Sequence, residues 1–204
     1  MYAYCGNDPV NKIDPNGQCA LDILTWVVNY VVKSTRALFL QTQLTKGGFN
    51  NLSFSSMMEC IDAIDRAGID TPEEKAHFFA QCYVEGNLSL LEAGYLSEEK
   101  AEAYRKTKDY YPYYGAGYIQ LTWSYNYKAF ADYIGDPEIY NQGPKYVAKY
   151  YAWSAAGWFW EKNNINKKIA NGATVKAVTR TVNGGTSQLA EREAAYAVFI
   201  AIFS

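Results

Sequence analysis

What the sequence lacks narrows its function. Its 204 residues hold one histidine, His77, and four cysteines, at positions 5, 19, 60 and 82, with no Cys-x-x-Cys pair. Structural zinc sites draw closely spaced Cys and His ligands, so no metal is expected. Neither sign of charge is in excess. Nineteen Lys and Arg face 21 Asp and Glu, which offers no broad positive surface for nucleic acid. A basic segment followed by an apolar one is missing at the amino terminus, so a conventional secretory signal is not expected. A long uninterrupted apolar run is missing too. The most hydrophobic stretch, LDILTWVVNYVVKSTRALFL at 21–40, is broken by Asp22, Asn29, Lys33 and Arg36. A stable membrane span needs about 20 nearly uncharged apolar residues, so a packing helix is favoured over a membrane-active segment.

What is present is apolar and aromatic. Hydrophobic residues make up 49% of the chain and aromatics 16%, with 19 tyrosines. One main domain with a packed core is the default at this length. Tyrosines suit a groove where sugar rings stack and hydroxyls need partners, and equally a tyrosine-rich core. Cys60 and Cys82 could form a disulfide in an oxidising compartment or stand as two buried thiols.

The pattern along the chain is mainly helical. Thr71-Pro72-Glu73-Glu74 offers an N-cap threonine, a proline at the first helical position and a glutamate at the third, a capping box. A helix should run from there to about Glu85, with Phe78, Gln81, Cys82 and Glu85 sharing one face at i, i+3, i+4 and i+7. Further helices are expected at 97–107, 124–134, 144–161 and 187–202, with at most a short β-hairpin around 110–122. Gly-rich residues 46–51 mark a break. Glu85 ends its helix beside Gly86 and Asn87, where an apolar setting would suit a carboxyl that donates a proton.

The first stretch, YAYCGNDPVNKIDPNGQ at 2–18, is dense in turn-forming residues. It resembles the end of the core of Rhs/YD-repeat proteins, matching that signature at Pro9, Asp14, Pro15 and Gly17, with Gln18 where leucine is usual. The resemblance implies a shell end followed by a toxin domain delivered by a type VI secretion or insecticidal toxin machine. Rhs core, secretion machinery and a dedicated immunity protein are then the expected partners.

Three separated segments, AHFFAQCYVEGN, YYGAGYIQLTWSYNY and TRTVNGGTSQLAER, resemble in that order glycoside hydrolase family 19, chitinases and endolysins with a lysozyme-like fold. The resemblance covers roughly residues 54–200. It implies a mainly α, lysozyme-like domain over 51–204, preceded by a connecting helical segment at 19–50 and the Rhs-like end at 1–18. It places Glu85 as general acid, Thr122 as a group positioning the attacking water, and Gln120, Tyr125, Asn126 and Asn183 as substrate-binding residues. Arg192, counted with the substrate-binding residues, is a buried or cleft-edge cation that could pair with a catalytic-site carboxylate. Val84 and Ala116 stand where the family usually has histidine and arginine. Glycosidases of this kind need a second carboxylate. Glu92 is chosen, with Glu98, Glu99 and Glu102 assigned to a solvated helix face.

The expected reaction is inverting hydrolysis of β-1,4 bonds between N-acetylhexosamines, requiring no metal or organic cofactor. The Rhs-like start places peptidoglycan ahead of chitin and points to the periplasm or cell wall of a target bacterium. A chitinase toxin, a non-catalytic cell-wall-binding module and a pore-forming role for 21–40 are the competing readings.

Overall fold

The computed structural model describes residues 18–204, so the Rhs-like signature and Cys5 lie outside the described residues. The mainly α expectation holds. Helix α1 (Gln18–Lys46) leads into α2 (Phe54–Arg66) and α3 (Pro72–Gly86). Then come α4 (Glu98–Arg105), α5 (Ser124–Ile134), α6 (Glu138–Gln142), α7 (Pro144–Tyr150) and α8 (Ala152–Lys162). Helices α9 (Ile165–Ala170), α10 (Val175–Asn183) and α11 (Leu189–Phe203) complete the order.

Helix α3 is the axis, and local chemistry sets its start. Thr71 Oγ1 accepts from the Glu74 N–H at 3.2 Å and Glu74 Oε2 accepts from the Thr71 N–H at 2.9 Å, the capping box expected from the sequence. Residues 76–82 are buried without a break, so this helix is enclosed on all sides rather than amphipathic. Phe78 and Phe79 pack with Phe49, Trp153, Trp160 and Phe199 in edge-on and tilted pairs. Helix α11 packs along α3, and α2 lies against α8 and α1.

Helices α6, α9 and α10 lie outside the helices expected from the sequence, and three further departures have physical causes. Helix α2 was not anticipated, although Ser53 caps it by accepting from Ser56 N–H at 3.1 Å and Met57, Cys60, Ile61 and Ile64 are buried on one helical face. The single helix expected at 144–161 is two, α7 and α8, broken at Tyr151 (φ −137°). No glycine or proline marks that break. It is held by Glu59, which reaches from α2 and accepts from the N–H groups of Trp153 (3.0 Å) and Ser154 (2.8 Å), giving α8 a tertiary N-cap. Among the described residues, the expected hairpin reduces to two isolated antiparallel bridges, Leu91 with Ala116 and Ala116 with Leu121.

Helix α1 divides in two. Its carboxyl-terminal half enters the core through Ala37, Leu40 and Leu44, with Lys33–Asp62 and Arg36–Asp65 ion pairs to α2. Its first half leaves Leu21, Leu24, Trp26, Val31 and Val32 exposed. No helix among the described residues is long and apolar enough to cross a membrane.

Candidate active site

Three remote segments meet at the end of α3. A Cβ at Gly86 would lie 2.6 Å from the Tyr118 Cα, so only glycine lets α3 press against the 115–123 segment. A Cβ at Gly117, at φ +73°, would lie 2.8 Å from the Ala152 carbonyl oxygen. The glycines around Gln120 admit close packing within the protein. The cleft that results has a volume of about 340 Å³. Glu85, Gln120, Thr122, Asn126 and Asn183, all expected site residues, line it together.

Glu85 does not sit in the apolar setting expected for it. Its Oε1 accepts from Arg192 Nη2 at 2.6 Å and from Asn183 Nδ2 at 3.4 Å. Arg192 is fully buried behind the cleft wall. Its Nη1 donates to Gln81 Oε1 at 2.6 Å and its Nε to the Ser187 carbonyl at 3.1 Å. Gln81 in turn donates to Thr179 Oγ1 at 3.2 Å. A buried guanidinium is tolerated where each of its edges meets an acceptor, as here. Arg192 therefore fixes the Glu85 carboxylate from the protein side instead of facing the open cleft.

The opposite wall is a strained turn. Gln120 (φ +52°) and Trp123 (φ +78°) both hold left-handed backbone, a conformation non-glycine residues keep only where surroundings enforce it. The Gln120 amide donates to the Ser89 and Gly117 carbonyls at 3.2 and 3.0 Å, and the Trp123 N–H donates to the Tyr113 carbonyl at 2.9 Å. Thr122 Oγ1 donates to the Gln120 carbonyl at 2.7 Å, which leaves the hydroxyl oxygen as an acceptor. Asn126 donates to the Thr122 carbonyl and accepts from Lys162 Nζ, both at 2.9 Å. Tyr125 is 63% exposed and stacks on Trp123 with ring centroids 6.1 Å apart, at the cleft's edge and not among its lining residues.

Glu92 is set back. Its Oε1 accepts from the Tyr110 hydroxyl at 2.6 Å and its Oε2 from the Gly115 N–H at 3.2 Å. Tyr110 lines the cleft whereas Glu92 does not. Burial first, then the Glu92 carboxylate, push the Tyr110 phenol upward, so it remains a donor to Glu92. Glu98, Glu99 and Glu102 lie on or against α4 and line a different cavity.

The aromatic wall of Tyr110, Trp123 and Phe159 was not picked out from the sequence. Tyr110 lay in a tyrosine-rich stretch whose members are indistinguishable by pattern. Gln81 was legible, placed on the Glu85 face by helical spacing, but its role in holding Arg192 was not. Ala116 is fully buried and bridges two backbone segments. Cys60 and Cys82 are buried free thiols, pushed upward by burial. His77 packs on Tyr196, 4.4 Å between ring centroids, and burial lowers it to about 4. Among the described residues no group of three or more His, Cys, Asp or Glu is placed to hold a metal ion.

The pattern of the family described as glycoside hydrolase 19, chitinase class I, matches residues 63–204. An endochitinase of Arabidopsis thaliana is 31% identical over 153 residues, 69% of this chain and 48% of that protein. The acidic endochitinase SP2 of Beta vulgaris is 26% identical over 147 residues, 68% of this chain and 50% of that protein. The chain thus spans about half the length of these curated relatives. Among solved structures, chitinase C from Streptomyces griseus HUT6037 superposes with a TM-score of 0.62 at 26% identity, over 79% of this chain and 90% of that one.

Proposed function

The chain belongs to glycoside hydrolase family 19, and on that premise we propose that it hydrolyses β-1,4 linkages in N-acetylglucosamine polymers, with chitin-like glycans ahead of peptidoglycan. That order reverses the one drawn from the Rhs-like segment, because the relatives that match the catalytic region are named as chitinases. The observation that carries the reading is Glu85 at the cleft wall, its Oε1 anchored by Arg192 and Asn183. Anchoring one oxygen leaves Oε2 to carry the proton for the glycosidic oxygen.

Inversion requires water to attack from the opposite face, with the two carboxyl groups about 6.5–9.5 Å apart. The Thr122 hydroxyl, committed as donor to the Gln120 carbonyl, accepts a hydrogen from that water and orients it. Glu92 serves as base by way of Tyr110, whose hydroxyl it holds. Turning that phenol aside, or relaying a proton through it, connects Glu92 to the water. Gln120 offers its amide oxygen, and Asn126 and Asn183 their second amide N–H groups, to sugar hydroxyls and acetamido groups, and Tyr125 with Trp123 forms an aromatic edge on which a ring stacks. Carboxyl groups and water suffice for this reaction.

Mass spectrometry of fragments released from chitin and from purified peptidoglycan, by the protein and by Glu85→Gln, tests the reading. Chitin oligosaccharides that fall about 10²–10⁴-fold in the variant are expected. Products ending in reducing N-acetylmuramic acid, with chitin untouched, would move the substrate to peptidoglycan. No fragments from either polymer would leave a glycan-binding module.

A second reading rests on the sequence of residues 2–18, whose Rhs-like signature favours a toxin released from a delivery shell, acting on the wall of a target bacterium and matched by an immunity protein. Growth arrest of bacteria exporting the protein to the periplasm, abolished by Glu85→Gln, is its expected sign.

A further inference from the structure

We propose that the cavity between α4 and the α6–α7 turn is a second glycan-binding site, which takes an uncharged N-acetylglucosamine chain and holds the polymer beside the catalytic cleft. The inference rests on the glycan specificity proposed above. The cavity has a volume of about 510 Å³, larger than the cleft and within the range of small-molecule sites. Its floor is aromatic. Tyr113 and Tyr140 stack with ring centroids 4.9 Å apart and planes 19° from parallel, and Tyr140 is 36% exposed. Such a face suits the apolar side of a pyranose ring.

The polar rim selects the ligand. Glu138 accepts from Asn141 Nδ2 at 3.1 Å and from Gln142 Nε2 at 2.7 Å. One N–H of each amide is engaged there, so Asn141 and Gln142 keep a carbonyl oxygen and one N–H each for the cavity they line. Glu99 adds a carboxylate to the same rim. The rim is therefore rich in acceptors. It matches a ligand that presents donors, the hydroxyl and acetamido N–H groups of N-acetylglucosamine. It repels carboxylates such as those of peptidoglycan stem peptides. Lys145 is occupied by Glu98 at 2.8 Å. Beneath the acidic wall lies Arg105, fully buried, with Nη1 3.6 Å from Glu98 and 3.9 Å from Glu102 and neither Nη hydrogen-bonded. A fixed positive charge under that wall holds Glu98 and Glu102 in place.

One short segment ties the two sites together. Tyr110 lines the cleft, and Tyr111, Tyr113 and Tyr114 line the second cavity. Four residues of chain separate Tyr110 and Tyr114 by no more than about 15 Å at Cα, a distance one polymer chain can bridge.

The test compares hydrolysis of insoluble chitin with hydrolysis of a soluble chitin tetramer. Tyr140→Ala is expected to lower the polymer-to-tetramer ratio of kcat/KM about fivefold, and Tyr140→Phe to restore it. In a Glu85→Gln background, Tyr140→Ala is expected to reduce retention on chitin beads by a similar factor. An unchanged ratio, or parallel losses on both substrates, would overturn the proposal. Should Tyr140→Ala fail to fold, Gln142→Ala on the same rim is expected to lower the ratio about twofold, and no change in it counts against the site. If the wild-type protein cuts no glycan, the proposed activity fails by itself. Tyr140-dependent retention on beads would then still support the second site, and its absence would overturn it.

Discussion

Among the described residues two arginines are wholly buried, and they are buried in opposite ways. Arg192, on α11, donates from Nε, Nη1 and Nη2 to the Ser187 carbonyl, Gln81 and Glu85. Arg105, on α4, donates from Nε to the Glu92 carbonyl at 2.8 Å, lies 4.4 Å over the Tyr114 ring, and leaves both Nη groups without hydrogen bonds. The first is a clamp whose geometry is dictated atom by atom. The second is a charge tolerated through a ring face and carboxylates at 3.6 and 3.9 Å. The difference teaches where directional bonding is concentrated: at the carboxylate that would do chemistry, not at the wall of a binding surface.

Breaking the clamp should give the largest effect. Arg192→Met leaves Glu85 and Gln81 without their cation at a buried site and is expected to destabilise the fold by about 3–5 kcal/mol, read as a fall in denaturant midpoint, with hydrolysis lost. Arg192→Lys, which keeps charge but not the fork, should recover much of the stability and little of the turnover. Arg105→Met is expected to cost only about 1–2 kcal/mol, because an apolar side chain of similar volume removes two unsatisfied groups along with the charge. Equal losses at the two arginines would abolish the contrast.

Two other buried titratable groups sharpen it through pH. Burial raises Glu59 to about 7, against the opposing pull of the Ser154 and Trp153 bonds, and burial lowers His77 to about 4. For Glu59 the folded state holds more protons than the unfolded between about pH 4.5 and 7. Its contribution is full below that window and lost as pH rises through it, on the order of 3 kcal/mol. For His77 the unfolded state holds more protons between about 4 and 6.5, so its contribution is present above that window and lost as pH falls through it. The two slopes oppose. Melting temperature should thus vary little between pH 4.5 and 6.5 in the wild type and climb with pH in Glu59→Gln, where His77 acts alone. The smallest effect is expected at the exposed Arg36–Asp65 pair between α1 and α2. Its double-mutant cycle should give less than about 1 kcal/mol.

How legible the molecule was depends on the range of the interactions involved. Helix α3 and its capping box were readable because every partner lies within four residues. So were Glu85, Gln120, Thr122, Asn126 and Asn183 as a set, since the three motifs arrive in family order. Helix α2 went unread although its cap and stripe are local signals. The break at Tyr151 was unreadable in principle, because its cause, Glu59, lies more than ninety residues away. Tyr125 was assigned by motif position and Glu92 by its place seven residues after Glu85, neither of which says which wall a side chain reaches. The structure sets Tyr125 at the edge and puts Tyr110 between Glu92 and the cleft.

By itself the sequence determined the helical class, the start and end of α3, and the family to which residues 63–204 belong, because hydrogen bonds within one turn and residue spacing along one chain suffice for them. Only the tertiary structure decided that Arg192 sits behind Glu85 and that a second tyrosine-walled cavity adjoins the cleft. Those outcomes depend on burial and on contacts between residues such as Gln81 and Arg192, 111 positions apart, which no local pattern encodes.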